Sequence, residues 1–561
     1  MESKILIIDN DEKSEASFIL NETLKQYQEI ILSCIGPYSK LKFCGSKHDS
    51  THLIITNTSK NLYENMYKID SERLTKNECL KLTKWKFELI SSTIYKSHFN
   101  LFYDSGLFLT YLINQTILLG IDKKFINKIL LNLIEHLNQN DKNHFIKFKI
   151  NLDNLNHLKN LIITSLQTKQ SINLNCTNDT DTFLNLYLKL LIKSVNNDSF
   201  SRILYIFNDT EALDLDQSES IDGILIKSEN VDFEKVNNLK CVILDSNILS
   251  GDFEILDNIG LKFQIEASQL KSQSQQFLSL NFLIENIKIL FDKFKINVLF
   301  CQKVVHPSIK SYLKKQGNIL VFDRLGLSLT EPVRELLNCK ILNSIFNLEL
   351  LDEDYFGYLN NIKLKKINND YFYHLESEKN LIQTFLVCVP NESFTPEIEY
   401  VLKTTEKVFQ RTIMSGYGLI GGPCFYSYCI AFLWKHELKT DRQNQVKNFR
   451  IIKELFYKFL KKLIDSECEY LMSVNTGHLF KKESEFCECG LVLQNLKQDF
   501  LDLDSVDFRL DNLKLFDNQK IFKIDFNNIK LIDCIHSKLN CLKITRDVLS
   551  TLLHIGIFVS S

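Results

Sequence analysis

Hydrophobic residues recur at intervals of three and four over long stretches near both ends of the chain. Between residues 452 and 463 they form one apolar face, and lysines and glutamates occupy the positions between them. This spacing is typical of an amphipathic helix with one buried side. The same pattern predicts that most of the first hundred residues and most of the last 160 are helical.

The middle of the chain has a different pattern, with short apolar runs that alternate with helical segments. Strands are predicted at Lys240–Leu244, Val298–Phe300 and Ile319–Phe322, with a helix that begins near Pro307. Strand, helix and strand at this spacing predict a βαβ unit with a right-handed crossover onto a parallel sheet. We therefore expect an α/β module at about 206–360, inserted between two halves of a helical module. The polar run Ser268–Gln276 is interpreted as a loop.

Composition narrows the class of protein. The chain has 561 residues, more than one hydrophobic core supports, so several domains are expected. It contains only 17 glycines and 6 prolines, well below typical usage of roughly 7% and 5%, which favours long helices. The 67 basic and 69 acidic residues give a net charge of −2. Because there is no basic surplus, no nucleic-acid partner is expected.

The N-terminal sequence and the longest apolar stretch predict the compartment. Only four apolar residues, Ile5–Ile8, precede Asp9, whereas a secretory signal needs roughly 7–15. The stretch Leu107–Leu119 is interrupted by polar residues and is shorter than the roughly 20 residues of a membrane-spanning helix. We therefore expect a cytoplasmic protein without membrane insertion.

The 15 cysteines are scattered along the chain, and Cys487 and Cys489 are the only close pair. One Cys-x-Cys with His478 nearby is a weak indication of zinc, because a structural site needs four ligands. Reduced thiols are therefore favoured over a metal site.

Three glycine-containing segments have the composition of phosphate-binding loops. They are Gly36-Pro37 with Lys42 six residues on, Asp104-Ser105-Gly106 before an apolar helix, and Gly418 to Pro423 with Gly421 and Gly422. Glycine lets backbone N–H groups approach a phosphate, and an aspartate can hold Mg²⁺ there. Taken singly, each segment is better explained as a helix end or a helix cap than as a phosphate-binding loop.

In this order the segments resemble the group II chaperonin family over about residues 17–557. Gly36 to Lys42 resembles the family's Gly-Pro-x-Gly-x-x-Lys, and Ile55 to Ser59 resembles Ile-Thr-Asn-Asp-Gly. Asp104 to Leu107 is similar to Asp-Gly-Thr-Thr, Thr164 to Lys169 to Thr-Ser-Leu-x-Ser-Lys, and Gly421 to Pro423 to Gly-Gly-Gly. Within the family, Cys301 to Ser308 and Asp323 to Pro332 resemble the divergent chaperonin-like branch associated with Bardet–Biedl syndrome.

The resemblance implies a multidomain α and α/β fold, with a helical equatorial domain, a small intermediate domain and an inserted α/β apical domain. The implied segments are equatorial 1–148 and 397–561, intermediate 149–205 and 361–396, and apical 206–360. It also implies a degenerate nucleotide site, with no catalytic residue assigned and Asp104 as the optional Mg²⁺ ligand. Its residues are Gly36, Pro37, Lys42, Asp104, Gly106, Gly421 and Gly422.

Departures from the family pattern argue against ATP hydrolysis. The family's second loop glycine is Ser39 here, its Asp-Gly is Thr58-Ser59, and its two threonines are replaced by Gly106 and Leu107. The intermediate-domain carboxylate position is interpreted as Pro396, with Glu392 and Glu397 as nearby alternatives. Losing one such group typically costs about 10²–10³ in rate. The chain is therefore expected not to be an enzyme; it requires no cofactor, and binding of ATP with Mg²⁺ stays open.

Three functions remain open at this point. The favoured one is a non-hydrolysing chaperonin-like factor that helps to fold and assemble the ciliary trafficking complex called the BBSome. The resemblance then implies three sets of partners: other chaperonin-like Bardet–Biedl proteins, subunits of the cytosolic chaperonin (CCT/TRiC), and BBSome subunits as clients. It also implies a location in the cytoplasm and at the centrosome or basal body. The alternatives are an active ATP-dependent chaperonin subunit and an unrelated enzyme that uses the βαβ crevice around Phe300–His306.

Overall fold

The computed structural model describes most of the predicted helices and strands. The residues that it describes are 4–5, 21–22, 24–36, 39–44, 54–56, 58–62, 93–99, 101–102, 104–119, 123–139, 146–167, 179–195, 200–209, 215–228, 235–245, 284–317, 319–343, 351–367, 370–378, 382–389, 391–437, 443–465, 467–473, 476–482, 487, 489–490, 500–502, 529–554 and 559–560. Pro37 and the segment Ser268–Gln276 lie outside the described residues.

The chain divides into two compact units, one inserted into the other. Unit 1 consists of Met1–Leu188, Asp209–Gln217 and Cys388–Ser561, and unit 2 consists of Lys189–Asn208 and Ser218–Val387. The division into five segments that the resemblance implies is finer and stays a prediction.

The helices are α1 (Gly106–Leu118), α2 (Lys123–Asn138), α3 (Leu155–Gln167), α4 (Asp179–Ser194), α5 (Pro307–Gly317), α6 (Gly326–Leu337), α7 (Thr395–Ser415), α8 (Pro423–Glu437), α9 (Gln443–Leu463) and α10 (Ile535–His554). Residues 24–32 and 284–294 are also helical. The strands are β1 (Lys4–Ile5), β2 (Lys42–Cys44), β3 (Ile54–Thr56), β4 (Lys147–Lys149), β5 (Ile203–Asp209), β6 (Glu219–Asp222), β7 (Ile224–Ser228), β8 (Lys235–Leu244), β9 (Val298–Cys301), β10 (Leu320–Phe322), β11 (Phe356–Ile367), β12 (Asp370–Glu376), β13 (Gln383–Val389), β14 (Tyr417–Ile420), β15 (Tyr470–Ser473), β16 (Leu479–Lys481), β17 (Phe500–Asp502), β18 (Ile532–Asp533) and β19 (Val559–Ser560).

Unit 2 is built around a six-stranded sheet in the order β10-β9-β8-β11-β12-β7. Strands β8, β9 and β10 run parallel, and α5 connects β9 to β10. The predicted βαβ unit is therefore confirmed. Strands β11, β12 and β7 extend the sheet in antiparallel fashion. The four residues of β9 are buried on both faces, as expected for a parallel strand covered by helices on each side.

Unit 1 is mainly helical, with small sheets at the ends of its helices. Helix α10 packs against α1 and α2, α8 packs against α9, and α3 packs against α7. Aromatic side chains fill the core between α1, α8 and α9: the rings of Phe108 and Tyr426 are 4.9 Å apart, and those of Tyr426 and Phe459 are 4.7 Å apart. In the part of the chain that the structure describes, no helix is both long and apolar enough to cross a membrane.

Candidate functional site

A cavity of about 320 Å³ lies in unit 1, where three glycine-containing segments meet the C-terminal helix α10. Its wall includes four of the residues predicted from the sequence: Gly36, Asp104, Gly106 and Gly422. Segments that lie almost 400 residues apart in the chain therefore converge. The hypothesis of one composite site, rather than three unrelated helix ends, is thereby supported.

The other predicted site residues lie beside this cavity. Gly421 adjoins the wall, and a side chain there would meet Asp533, because its Cβ would lie 2.9 Å from that carboxyl group. Lys42 lies on β2 opposite Thr56 and is half-buried, outside the residues that line the cavity. Pro37 belongs to the residues that the structure does not describe.

The segment around Asp104 adopts the backbone conformation that a glycine would favour. Ser105, which stands where the family has glycine, has φ of 61°, and its hydroxyl donates a hydrogen bond to the Asp104 carboxylate at 3.1 Å. Gly106 then begins α1 in close contact with Ser59, whose Oγ would be 2.2 Å from an added Cβ. A threonine at 106 would therefore require the side chains of Ser59 and Phe99 to move.

Behind the Asp104 loop, His98 is buried and held in one tautomer. Its Nε2 donates to the carbonyl of Asp104 at 2.6 Å, and its Nδ1 accepts from the amide of Asn540 at 3.1 Å. Burial lowers the pKa of His98 to about 4. The neutral imidazole therefore supports the loop at neutral pH.

Sequence reasoning missed Lys538, a cation on the cavity wall. This side chain is buried, and its Nζ lies 3.2 Å from the Asp533 carboxylate and 3.0 Å from the hydroxyl of Tyr426. Burial alone would lower its pKa, but the charges of Asp533 and Asp104 and the hydrogen bond to the Tyr426 hydroxyl outweigh burial and raise the pKa well above its usual value. The ammonium group is therefore charged at neutral pH.

The Asp533 carboxylate is hydrogen-bonded to a backbone N–H group of the third glycine segment. It accepts this hydrogen bond from the N–H of Gly422, one of the groups predicted to face a phosphate. Burial raises the pKa of Asp533, and the charge of Lys538 opposes that rise. The charge of Lys538 and the N–H of Gly422 thus both have Asp533 as their partner within the protein.

The carboxylate at the start of α7 is Glu397. The sequence interpretation placed Pro396 here, but Pro396 and Glu392 are exposed, whereas Glu397 is fully buried. Its Oε2 accepts hydrogen bonds from the hydroxyls of Thr56 and Thr58, the latter at 3.0 Å, and from the amide of Asn61 at 3.3 Å. Glu397 therefore fastens the loop that follows β3 onto α7. Of the two acidic alternatives to Pro396, Glu397 is thus the one that is buried at the start of α7, and the assignment of the family's carboxylate position stays a prediction.

The charged groups and backbone donors at this site already contact one another. A Mg²⁺-nucleotide site needs a carboxylate on the metal and free N–H and hydroxyl donors for the phosphates. Here the Lys538 ammonium is already close to Asp104 and Asp533, and the Gly422 N–H is already bonded. The donor set is thus a poor fit to Mg²⁺-ATP.

Comparison with known proteins identifies the family. A model of the TCP-1/cpn60 chaperonin family matches residues 116–559, which is most of the chain. The chain belongs to the TCP-1/cpn60 chaperonin family. The family predicted from the glycine segments is therefore confirmed, and with it the multidomain α and α/β fold class.

Curated relatives in this family are similar at low identity. Proteins named "Molecular chaperone MKKS" from Pongo abelii and Homo sapiens are each 24% identical over 225 residues, which is 36% of this chain and 39% of each relative. The protein of that name from Mus musculus is 22% identical over 499 residues, covering 84% of this chain and 82% of the relative. The first two matches thus span well under half of those relatives' length.

A second cluster in unit 1 brings one histidine and three cysteines together. The sequence favours reduced thiols over a metal site here, because Cys487, Cys489 and His478 lack a fourth ligand. The structure brings Cys424, at the start of α8, into contact with them. Cys424 lies 63 residues before Cys487 in the sequence, so no rule based on ligand spacing predicts it.

Proposed function

We propose that this chaperonin family member is a chaperone-like protein that acts through protein–protein contacts, with little or no ATP hydrolysis. Membership of the chaperonin family and the name of its relatives support the chaperone-like part of the proposal. The contacts within the cavity in unit 1 support the absence of ATP hydrolysis.

The contact between Lys538 and Asp533 carries this proposal. A charged ammonium 3.2 Å from the Asp533 carboxylate, and near Asp104, occupies the electrostatic role that Mg²⁺ has in a nucleotide site. Binding the metal would require two positive groups to share these carboxylates, which is unfavourable in a buried site. Two hydroxyl donors of the family pattern are also missing, because Gly106 and Leu107 replace two threonines.

The finer part of the proposal concerns clients, partners and location, and it rests on the sequence resemblance. We propose that the protein helps to assemble the BBSome together with other chaperonin-like Bardet–Biedl proteins and the cytosolic chaperonin. We place this activity in the cytoplasm and at the centrosome or basal body.

We further propose that unit 2 provides contacts to partners. The two strings that resemble the Bardet–Biedl branch meet at one corner of its sheet, where the N–H of Arg324 donates to the carbonyl of Lys303 at 3.1 Å. Asp323 fastens this corner by accepting from the N–H of Val305 at 3.2 Å and pairing with Lys310 at 2.7 Å. Leu327, which begins the adjoining turn of α6, is 74% exposed.

Two measurements on the full-length chain test the proposal. The first is phosphate release from ATP by purified protein, and we expect no rate above that of a sample without protein. The second is affinity purification from ciliated cells with mass spectrometry, and we expect chaperonin and Bardet–Biedl proteins to be recovered equally with and without ATP depletion. Turnover that Asp104→Ala abolishes, or clients that leave only when ATP is added, would refute a non-hydrolysing factor.

An active ATP-driven chaperonin subunit is the second candidate, and one observation favours it. Asp104 is present in the cavity wall, and a buried carboxylate, Glu397, is present at the start of α7 in the same unit. Lys538→Met separates the two candidates, with exposed Lys543→Met on the same helix as the matched control. If Lys538 blocks the metal, Lys538→Met increases Mg²⁺-dependent nucleotide affinity whereas Lys543→Met leaves it unchanged. Tight Mg²⁺-ATP binding by the unmodified chain favours the active subunit instead.

A further inference from the structure

Four potential metal ligands converge in unit 1, next to the cavity but outside the residues that line it. The sulfurs of Cys424 and Cys487 are 3.2 Å apart, as are those of Cys487 and Cys489. The Nδ1 of His478 lies 3.4 Å from the Cys487 sulfur and 3.5 Å from the Cys489 sulfur. All four ligand atoms lie within 4.8 Å of one another, and all four residues are buried.

The distances from His478 to the two sulfurs match the edges of a tetrahedral metal site, and the two sulfur–sulfur distances are about 0.5 Å shorter than such edges. Bond lengths of about 2.3 Å to sulfur and 2.0–2.1 Å to nitrogen place the ligands of a tetrahedral Zn²⁺ roughly 3.5–3.8 Å apart. A disulfide would hold two sulfurs at about 2.05 Å and would leave the third thiol and the histidine unused. We propose that Cys424, His478, Cys487 and Cys489 form a structural zinc site.

The backbone turn before His478 brings this side chain toward the start of α8. His478 follows a turn in which the N–H of Gly477 donates to the carbonyl of Ser473 at 2.8 Å. Gly477 has φ of 73°, and an added Cβ would lie 2.5 Å from the Cα of Tyr428 in α8. Only glycine therefore lets the β15–β16 hairpin approach α8 closely enough for His478 to reach Cys424.

The other two ligands lie in a tight turn beside this hairpin. Cys487 forms a β-bridge with Phe480, and its carbonyl accepts from the N–H of Gly490 at 2.8 Å. The carbonyl of Cys489 accepts from the N–H of Lys530 at 2.8 Å. Three separate segments, the start of α8, the hairpin and this turn, thus meet at the four ligands.

The electrostatics at the helix start suit a thiolate-rich site. Cys424 is the second residue of α8, where backbone N–H groups and the helix dipole favour negative charge. Three thiolates, a neutral histidine and Zn²⁺ leave one net negative charge, which the helix start stabilises.

A zinc ion here has a structural role. All four positions are filled by buried protein ligands, and catalytic zinc sites keep one position open for water. The ion would join α8, whose first residue Pro423 lines the cavity together with the preceding Gly422, to the hairpin and to the segment that holds Cys487 and Cys489. It would therefore fix the position of the third glycine segment.

Metal analysis of the purified full-length chain tests this site. We expect about one zinc per chain by elemental mass spectrometry, and cobalt substitution is expected to give the visible bands of a tetrahedral thiolate-rich site. Cys489→Ala should lose the zinc. Cys429→Ala is the matched control, since Cys429 is an equally buried cysteine in α8 outside the four-ligand cluster, and it should keep the zinc.

A second variant keeps the test decisive if Cys489→Ala does not fold. His478→Cys should still bind one metal, because four thiolates also form a tetrahedral site, but its cobalt spectrum should shift to that of an all-sulfur site. Removal of zinc by a chelator should lower the melting temperature of the unmodified chain and of Cys429→Ala alike. Protein purified under reducing conditions with zinc supplied, yet free of bound metal, overturns the proposal, as does a disulfide among these cysteines.

Discussion

Replacing Gly36 with alanine places a methyl group where the backbone of another segment already lies. Gly36 follows the helical residues 24–32 and has φ of 88°, in the left-handed region that favours glycine. An added Cβ would lie 1.7 Å from the carbonyl oxygen of Lys462 in the last turn of α9. That oxygen belongs to the backbone, so no side-chain rotation relieves the clash.

The loss of unfolding free energy has a conformational part and a packing part, and Gly416→Ala measures the conformational part alone. Gly416 ends α7 with φ of 68°, and an added Cβ there would meet nothing within 4 Å. Gly416→Ala therefore carries only the conformational cost, about 1–2 kcal/mol. Gly36→Ala adds the displacement of the α9 backbone, for which overpacking typically costs about 1–3 kcal/mol more. The expected loss of unfolding free energy is thus about 2–5 kcal/mol for Gly36→Ala.

Thermal unfolding of the two variants without nucleotide measures this difference. One kcal/mol shifts the melting temperature by roughly 2–4 °C in a domain of 150–250 residues, so the shifts should be separable. Gly36→Ala is expected to melt several degrees below Gly416→Ala, which itself melts below the unmodified chain. Equal losses for the two variants would refute the close approach of Gly36 to Lys462. A loss confined to Gly416→Ala would refute it as well.

Three further predictions concern buried polar groups. Burial lowers the pKa of His98 from an ordinary 6.5 to about 4. Between these two values the unfolded chain binds more protons than the folded chain, so the free energy of unfolding falls as the pH decreases from about 6.5 to 4. The loss should approach about 3 kcal/mol, measured by denaturant unfolding across pH, and a flat profile contradicts it. Glu437→Ala removes the carboxylate that the buried Lys453 ammonium contacts, and the free energy of unfolding should fall by about 3–5 kcal/mol. As the control, Glu454→Ala breaks the exposed pair with Lys458 and should lower it by less than about 1 kcal/mol. Asp323→Ala removes the acceptor for Val305 and Lys310 and should cost about 1–3 kcal/mol, with faster amide exchange at Val305 as its local signature. Unchanged exchange there contradicts the proposed fastening of that corner.

Several features of this protein could be predicted from its sequence because their signals are local. Apolar runs separated by helical spacing predicted the parallel strands β8, β9 and β10 and the helix α5 that links two of them. Ordered glycine segments predicted the family, and the structure brings Gly36, Asp104, Gly106 and Gly422 to one cavity. Backbone geometry and burial impose such patterns on neighbouring residues, so they can be detected along the chain.

The chemistry of both sites was decided by tertiary structure. Lys538 looked like one of many lysines until the fold buried it against Asp533 and Tyr426, the latter 112 residues away. Glu397 was one of two acidic alternatives until its contacts with Thr56 and Thr58, more than 300 residues earlier, separated it from Glu392. The fourth ligand Cys424 gave no signal, because a metal site depends on distances in space and its ligands need share no spacing in sequence. Local periodicity determines which elements form, and the packing of distant elements determines which side chains meet and which charges are neutralised.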